Sequence, residues 1–335
     1  MNRVAALLLL LSCHTLSLPK FMFADESRFG LVTVSPAFEL DGRGRDIDSI
    51  AFWEAPNAAD SLLFVTAKGN SLVEVWRFPF KNNESAPLTR STFKGAKVNG
   101  VLVDQDADLL YVAVASPSST ISVFTLPDLR PAKDIRVPGN SLKSEPSLAL
   151  IERADGKRRL YVSAKDAVYI LDSGSGKYLK EFMSPRDIES LVADTFHQTI
   201  YIPDEYGRSG VYAYDPHGKP IKRKGRRRFG DDVFEADAEG IVVYAHKVEG
   251  RDTGKGLIVV ADQRQNATEL EFFDRKSWAH RGTLRVRGVS NTDGLASTQQ
   301  VLPGFPRGLL AAVNADRTVV GVGWHTIFEA IGLDG

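Results

Sequence analysis

Ile188-Glu189-Ser190-Leu191-Val192-Ala193-Asp194, then Thr199-Ile200-Tyr201-Ile202-Pro203-Asp204-Glu205, then Val211-Tyr212-Ala213-Tyr214-Asp215, is a turn followed by three apolar runs, each the length of a strand and bounded by polar punctuation. The arrangement returns as Ala238-Glu239-Gly240-Ile241-Val242-Val243 with the runs 257–263 and 270–274, and as Thr292-Asp293-Gly294-Leu295 with 308–313 and 318–322. Copies open near Asp48, Asn99, Ser147, Glu189, Glu239 and Asp293, at steps of 42 to 54 residues. Six copies at that period predict an all-β chain folded as a six-bladed β-propeller. No segment carries a long helical period. The turns Ala154-Asp155-Gly156-Lys157 and Asp215-Pro216-His217-Gly218 supply the backbone that hairpins need.

Six blades use the 335 residues without a second domain. The composition is 43% hydrophobic and 25% charged, enough apolar material for a core. Lys plus Arg equals Asp plus Glu, 42 each, so no global charge calls for nucleic acid or an anionic surface, and electrostatic function must be local. Met1-Asn2-Arg3, the apolar stretch from Val4 to Leu11 and the segment from Ser12 to Leu18 read as a secretory signal over residues 1–24, leaving residues 25–335 as the propeller of a secreted monomer. That apolar core is too short for a membrane span. Cys13, the one cysteine, falls inside it; Leu10-Leu11-Ser12-Cys13 also reads as a lipidation signal that would keep the cysteine as an anchor. Asn83-Glu84-Ser85 and Asn266-Ala267-Thr268 fit the glycan acceptor pattern.

Carboxylates recur in register. Glu189, Glu205, Glu239 and Asp293 stand at turns or strand ends of their repeats, with Asp204 and Asp262 beside them and Asp46 and Asp48 opening the first copy. A single acidic residue before glycine is an ordinary turn; recurrence at blade spacing brings the group to one axis, where hard divalent cations find oxygen ligands. Seven basic side chains between Lys219 and Arg228, Arg226 and Arg227 among them, read as a solvated loop, as a rim that attracts a polyanion, or as a protease-cleavable site of the secretory pathway. No aromatics interleave them, against nucleic acid. The six histidines show no metal-ligand spacing, and no nucleophile elbow or glycine-rich phosphate loop is present.

The chain resembles the alkaline β-propeller phytases over residues 46–328. The resemblance rests on residues 188–194 and 200–205, on Ala238-Glu239-Gly240-Ile241, on Asn291-Thr292-Asp293-Gly294-Leu295 and on Pro303-Gly304-Phe305-Pro306-Arg307-Gly308-Leu309. It implies six blades, several calcium ions, and hydrolysis of the phosphomonoesters of inositol hexakisphosphate by a metal-activated water. By resemblance Glu189, Glu205, Glu239 and Asp293 fall on calcium-holding positions, with Asp48 in the opening signature. Gln263 falls on a polar site position, Lys165 with Asp166 on a Lys-Glu pair beside the substrate phosphate, and Lys68 on a phosphate-contacting lysine. The N-terminal half departs from the pattern. Ser49 and Ile50 replace an aspartate and a proline, Val98-Asn99-Gly100-Val101-Leu102-Val103 lacks the aspartate and arginine of the second signature, no tyrosine stands near Glu145-Pro146-Ser147, and Arg287 replaces a carboxylate. The expected activity is therefore a calcium-dependent, secreted phosphomonoesterase acting on inositol phosphates. The alternatives are a catalytically weakened propeller that binds a polyanion or a protein, and a lactonase-like propeller with one central metal.

Overall fold

A computed structural model describes residues 30–81, 84–87, 93, 95–116, 119–138, 142, 145–204, 209–264 and 266–333. The leader reading over residues 1–24, Cys13, Asn83 and Glu205 lie outside the described residues.

Six sheets follow one another along the chain, as the spacing predicts. Their first strands are Ile47–Trp53, Lys97–Asp104, Leu148–Glu152, Val192–Asp194, Asp237–Val248 and Leu295–Thr298, and each touches the next in a closed cycle around the axis. Each of six buried apolar clusters fills the gap between two neighbouring blades. Alternation along the strands explains this, because the two faces of a blade each meet a neighbour and both must be apolar. The cycle closes where Leu40, Ile50 and Leu63 meet Leu309, Ala311 and Val313.

In blade three, Arg158–Asp172 doubles back at Lys165 (φ 61°), since the Ser173 N–H donates to the Arg158 carbonyl and Arg159 pairs with Asp172 at 2.6 Å. Lys165 and Asp166 thus form the tip of a tight hairpin. Blade six is completed from the other end of the chain, because Phe38–Asp41 pairs with Thr318–Gly323. The repeat pattern carries no trace of this closure, nor of the helix Trp324–Ile331, whose Trp324, Ile327 and Phe328 are buried against blade five.

Opposite the end where the first strands begin, buried ion pairs staple blades together. The Arg275 guanidinium, 2% exposed, donates to both oxygens of Asp194 at 2.6 Å and both of Asp252 at 2.8 Å, joining blades four and five. Arg158 holds both oxygens of Asp104 at 2.6 and 2.7 Å, joining blades two and three.

Close approach of first strands explains the glycines that follow ring residues. A Cβ on Gly294 would lie 2.2 Å from the Asp48 carbonyl oxygen, one on Gly240 2.8 Å from that of Asp293, and one on Gly100 2.3 Å from that of Pro146. Backbone cannot yield as a flexible side chain does. Gly294→Ala is expected to destabilise by about 1–3 kcal/mol or more, the range for overpacking, and to loosen the contact between blades six and one. Denaturant unfolding checks this, and an unchanged midpoint would contradict it.

Candidate metal centre

The six residues that open the repeats come to one end of the axis. The aiming device is a bulge: the first strands of blades one, two and five slip register between Ile47 and Ile50, Val98 and Val101, and Ala238 and Ile241, across Asp48, Asn99 and Glu239. An extra residue on the inner strand turns a side chain out of the ladder. The ring in blade order is Asp48, Asn99, Ser147, Glu189, Glu239 and Asp293. Four of its six members are carboxylates, and its other two also carry oxygen.

Around blades one to three the ring is neutralised from within. Asp48 is 6% exposed; its Oδ1 accepts from Asn99 Nδ2 at 2.9 Å and Ser49 Oγ at 2.8 Å, and its Oδ2 lies 3.1 Å from Lys68 Nζ. The same ammonium reaches Glu145 at 2.7 Å, and Lys97 reaches the other Glu145 oxygen at 3.0 Å. Burial works to raise the Glu145 pKa, but hydrogen bonds and charge from Lys68 and Lys97 prevail and hold it below the usual carboxylate range. Lys68 is held charged by the same pairing, against the cost of burial. Asn99 is fully buried, and its Oδ1 has no hydrogen-bond partner. With its amide nitrogen committed to Asp48, that oxygen is an acceptor lacking a donor, which costs free energy unless a cation or water meets it.

Blades four to six contribute Glu189, Glu239 and Asp293. Asp293 Oδ1 accepts from Gln263 Nε2 at 2.6 Å. Burial first, then the charges of Asp48 and Asp316, pushes the Asp293 carboxyl up to about 8. Burial, then Glu145 and Asp48, pushes Glu189 up to about 7. Asp48 is likewise raised, chiefly by burial. These are marks of carboxylates crowded without enough positive charge.

The sign of the pH dependence follows from linkage. Folded Asp293 and Glu189 retain protons that the unfolded chain, with ordinary values of 3.8 and 4.5, has released. Stability drawn from them is complete below those ordinary values and is lost as pH rises through about 7 and about 8. Glu145 acts in the opposite sense, and only at pH below the ordinary carboxylate range. In chelator, the melting temperature is expected to fall as pH is raised through neutrality. A profile that rises there would contradict the crowding.

The remaining residues expected at the site are placed as follows. Lys165 is exposed at its hairpin tip, its Cα opposite that of Ile188 and so beside Glu189, with Asp166 next to it. Gln263 is on the ring through Asp293. Lys68 is there too, but as a buried counter-ion between Asp48 and Glu145. Arg226 and Arg227 are not brought to the ring. The chain runs away from Glu189 along Val192–Asp194, returns along Thr199–Asp204 and leaves again along Gly210–Tyr214. After Tyr214 the chain turns back along that strand, with the Ile221 N–H donating to the Ala213 carbonyl and Arg228 opposite Tyr212, so the basic segment between them protrudes from the outer edge of blade four. The sequence reading missed Glu145 and Lys97 as members of the site. Glu145 stands two residues before a ring position, a signal that was available.

A second acidic group, Asp262, Glu269 and Glu271, brings ligand oxygens within 4.8 Å of one another. Its oxygens are already engaged: Arg264 contacts Asp262 at 3.1 Å and Glu269 at 2.7 Å, Arg285 also pairs with Glu269, and His280 Nε2 lies 2.6 Å from Glu271.

Comparison with known proteins agrees with the fold and gives a distant, partial sequence similarity. The chain is 25% identical over 182 residues to a 3-phytase of Bacillus subtilis (strain 168), a match covering 49% of this chain and 46% of that protein. The alignment thus spans less than half the length of that curated relative. No family model matches. Among solved structures, a chain of the mitotic checkpoint complex superposes with a TM-score of 0.56 at 11% identity, covering 96% of this chain and 98% of that one. The hydrazine synthase of Kuenenia stuttgartiensis gives 0.51 at 14% identity over 81% and 74%. The WD40 domain of Neurospora crassa Pan2 gives 0.50 at 15% over 81% and 73%. These likenesses bear on the fold alone. The chain is a six-bladed β-propeller with a distant, partial similarity to a phytase.

Proposed function

We propose that the chain is a calcium-dependent phosphomonoesterase of the phytase type, exported behind the leader at residues 1–24 and acting as a monomer on inositol phosphates. The observation that carries the reading is the all-oxygen ring of Asp48, Asn99, Glu189, Glu239 and Asp293, with the orphaned Asn99 oxygen turned to no donor. Carboxylate and amide oxygens without thiolate or imidazole suit calcium or magnesium, and so the residues present fit the ion that the resemblance implies. Calcium bound there would neutralise phosphate oxygens and acidify a bound water. The chain's own part is to hold and orient. Glu189, Glu239 and Asp293 provide the ligand charge, Gln263 fixes the Asp293 carboxylate, and the exposed Lys165 ammonium is within its hairpin's reach of a phosphate held beside Glu189. Lys68 is already shared by Asp48 and Glu145 and acts as a tethered counter-ion before it can act as a phosphate anchor.

A second reading, a weakened propeller that binds its polyanion without hydrolysing it, draws on that same engagement of Lys68 and Lys97. Phosphate release from calcium phytate, with and without chelator, separates the two. Slow release abolished by chelation supports hydrolysis. Binding without release above a blank replaces it with the second reading.

A further inference from the structure

Away from the ring the propeller carries two features that the proposed hydrolysis does not use, a basic hairpin on the outer edge of blade four, between Ile221 bonded to Ala213 and Arg228 opposite Tyr212, and a set of apolar side chains at the end opposite the ring. The first is the basic hairpin. Arg223 and Arg226 exchange backbone hydrogen bonds of 2.9 Å across Lys224 and Gly225, both at positive φ (49° and 79°), so the loop is a formed turn. The Arg223 guanidinium lies 4.2 Å from the centroid of the Trp278 ring, which fastens the hairpin to blade five. Lys222, Lys224, Arg226 and Arg227 are exposed, and Asp231 approaches Arg226 only at 3.8 Å. Like charges gathered on one short hairpin repel, and nothing in its own sequence relieves them. Lys247 and Arg251 add positive charge on the neighbouring loop of blade five, on either side of Glu249.

The second feature is apolar. Of the seven large hydrophobic side chains exposed among the described residues, five stand at this end: Tyr178 and Leu179 at the start of an outer strand of blade three, Phe196 and Val248 in the first turns of blades four and five, and Val301 in that of blade six. Val248 precedes Glu249 and Gly250 at a hairpin tip and is 53% exposed; Val301 is 67% exposed. Single exposed apolar residues are ordinary; five gathered at one end mark an interaction surface.

We propose that this end docks on an anionic lipid surface. Basic groups meet anionic headgroups while apolar tips enter the headgroup boundary, a pairing that a soluble polyanion does not need. Nucleic acid is disfavoured because Trp278, the ring nearest the hairpin, is already covered by Arg223. No helix of the described residues is long and apolar enough to cross a membrane.

The test is sedimentation of the full chain with vesicles of phosphatidylcholine, with and without phosphatidylserine, in chelator so that calcium cannot bridge. Binding is expected only with phosphatidylserine. Replacing Lys224, Arg226 and Arg227 together with Gln should lower partitioning by roughly a hundredfold, since each basic group near such a surface contributes about 1 kcal/mol. Val248→Asn with Val301→Asn should lower it separately, while Asp293→Asn at the ring should leave it unchanged. Absence of binding to either vesicle overturns the proposal. So does vesicle binding that ignores the apolar pair yet follows retention on heparin, the behaviour of a site for soluble polyanions.

Discussion

Arg275→Met is expected to destabilise the chain by about 3–5 kcal/mol, the cost of breaking a buried ion pair by removing one partner. Asp194 is 1% exposed and would keep a charge with no counter-ion. Its Oδ1 also accepts from the His197 N–H at 3.0 Å, so the carboxylate cannot turn to solvent without opening the first turn of blade four. The melting temperature should fall by roughly 4–7 °C for a chain of this size. Arg275→Met combined with Asp194→Asn should recover most of the loss, because the penalty comes from the stranded charge and much less from a missing attraction. A single variant as stable as the parent would show that blades four and five are held by their apolar seam alone.

Calcium is expected to raise stability by about 2.7 kcal/mol at a hundredfold excess over its dissociation constant, as any ligand exclusive to the folded state does. The ring variants give a sharper signature. Glu189→Gln removes one of the crowded carboxylates, and in chelator its melting temperature should equal or exceed that of the parent. In calcium the order should reverse, because a neutral amide holds the ion more weakly than a carboxylate. Such a crossing is not produced by a side chain with only a packing role. Parallel curves in both conditions would place Glu189 outside any ion site.

How much of this was legible in the sequence differs between fold and site. Blade number and ring positions were, because strand alternation and the recurring acidic residue are one-dimensional signals with a fixed period. Circular closure by Phe38–Asp41 was not, since pairing between residues nearly 280 positions apart leaves no local mark. The helix Trp324–Ile331 is only 8 residues long and owes its place to packing against Tyr244 and its neighbours rather than to a strong period of its own. Asp48, Glu189, Glu239, Asp293 and Gln263 were found from register and resemblance, and they do gather at one end. Lys68 is there with a different set of partners, because Glu145 and Lys97 complete a charge network that no spacing rule predicts. Arg226 and Arg227 were assigned to the substrate rim from charge alone; the pairing of Ile221 with Ala213 and of Arg228 with Tyr212 sets them on the outer edge of blade four, and composition is blind to pairing.

The central claim is that the ring is a cation site, and calorimetric titration of the purified chain with calcium tests it most directly. Saturable binding is expected for the parent, and its loss in the variant carrying Glu189→Gln together with Asp293→Asn, while that variant keeps its cooperative unfolding. Calcium binding of equal strength in parent and folded variant, or no binding in the parent, would contradict the account.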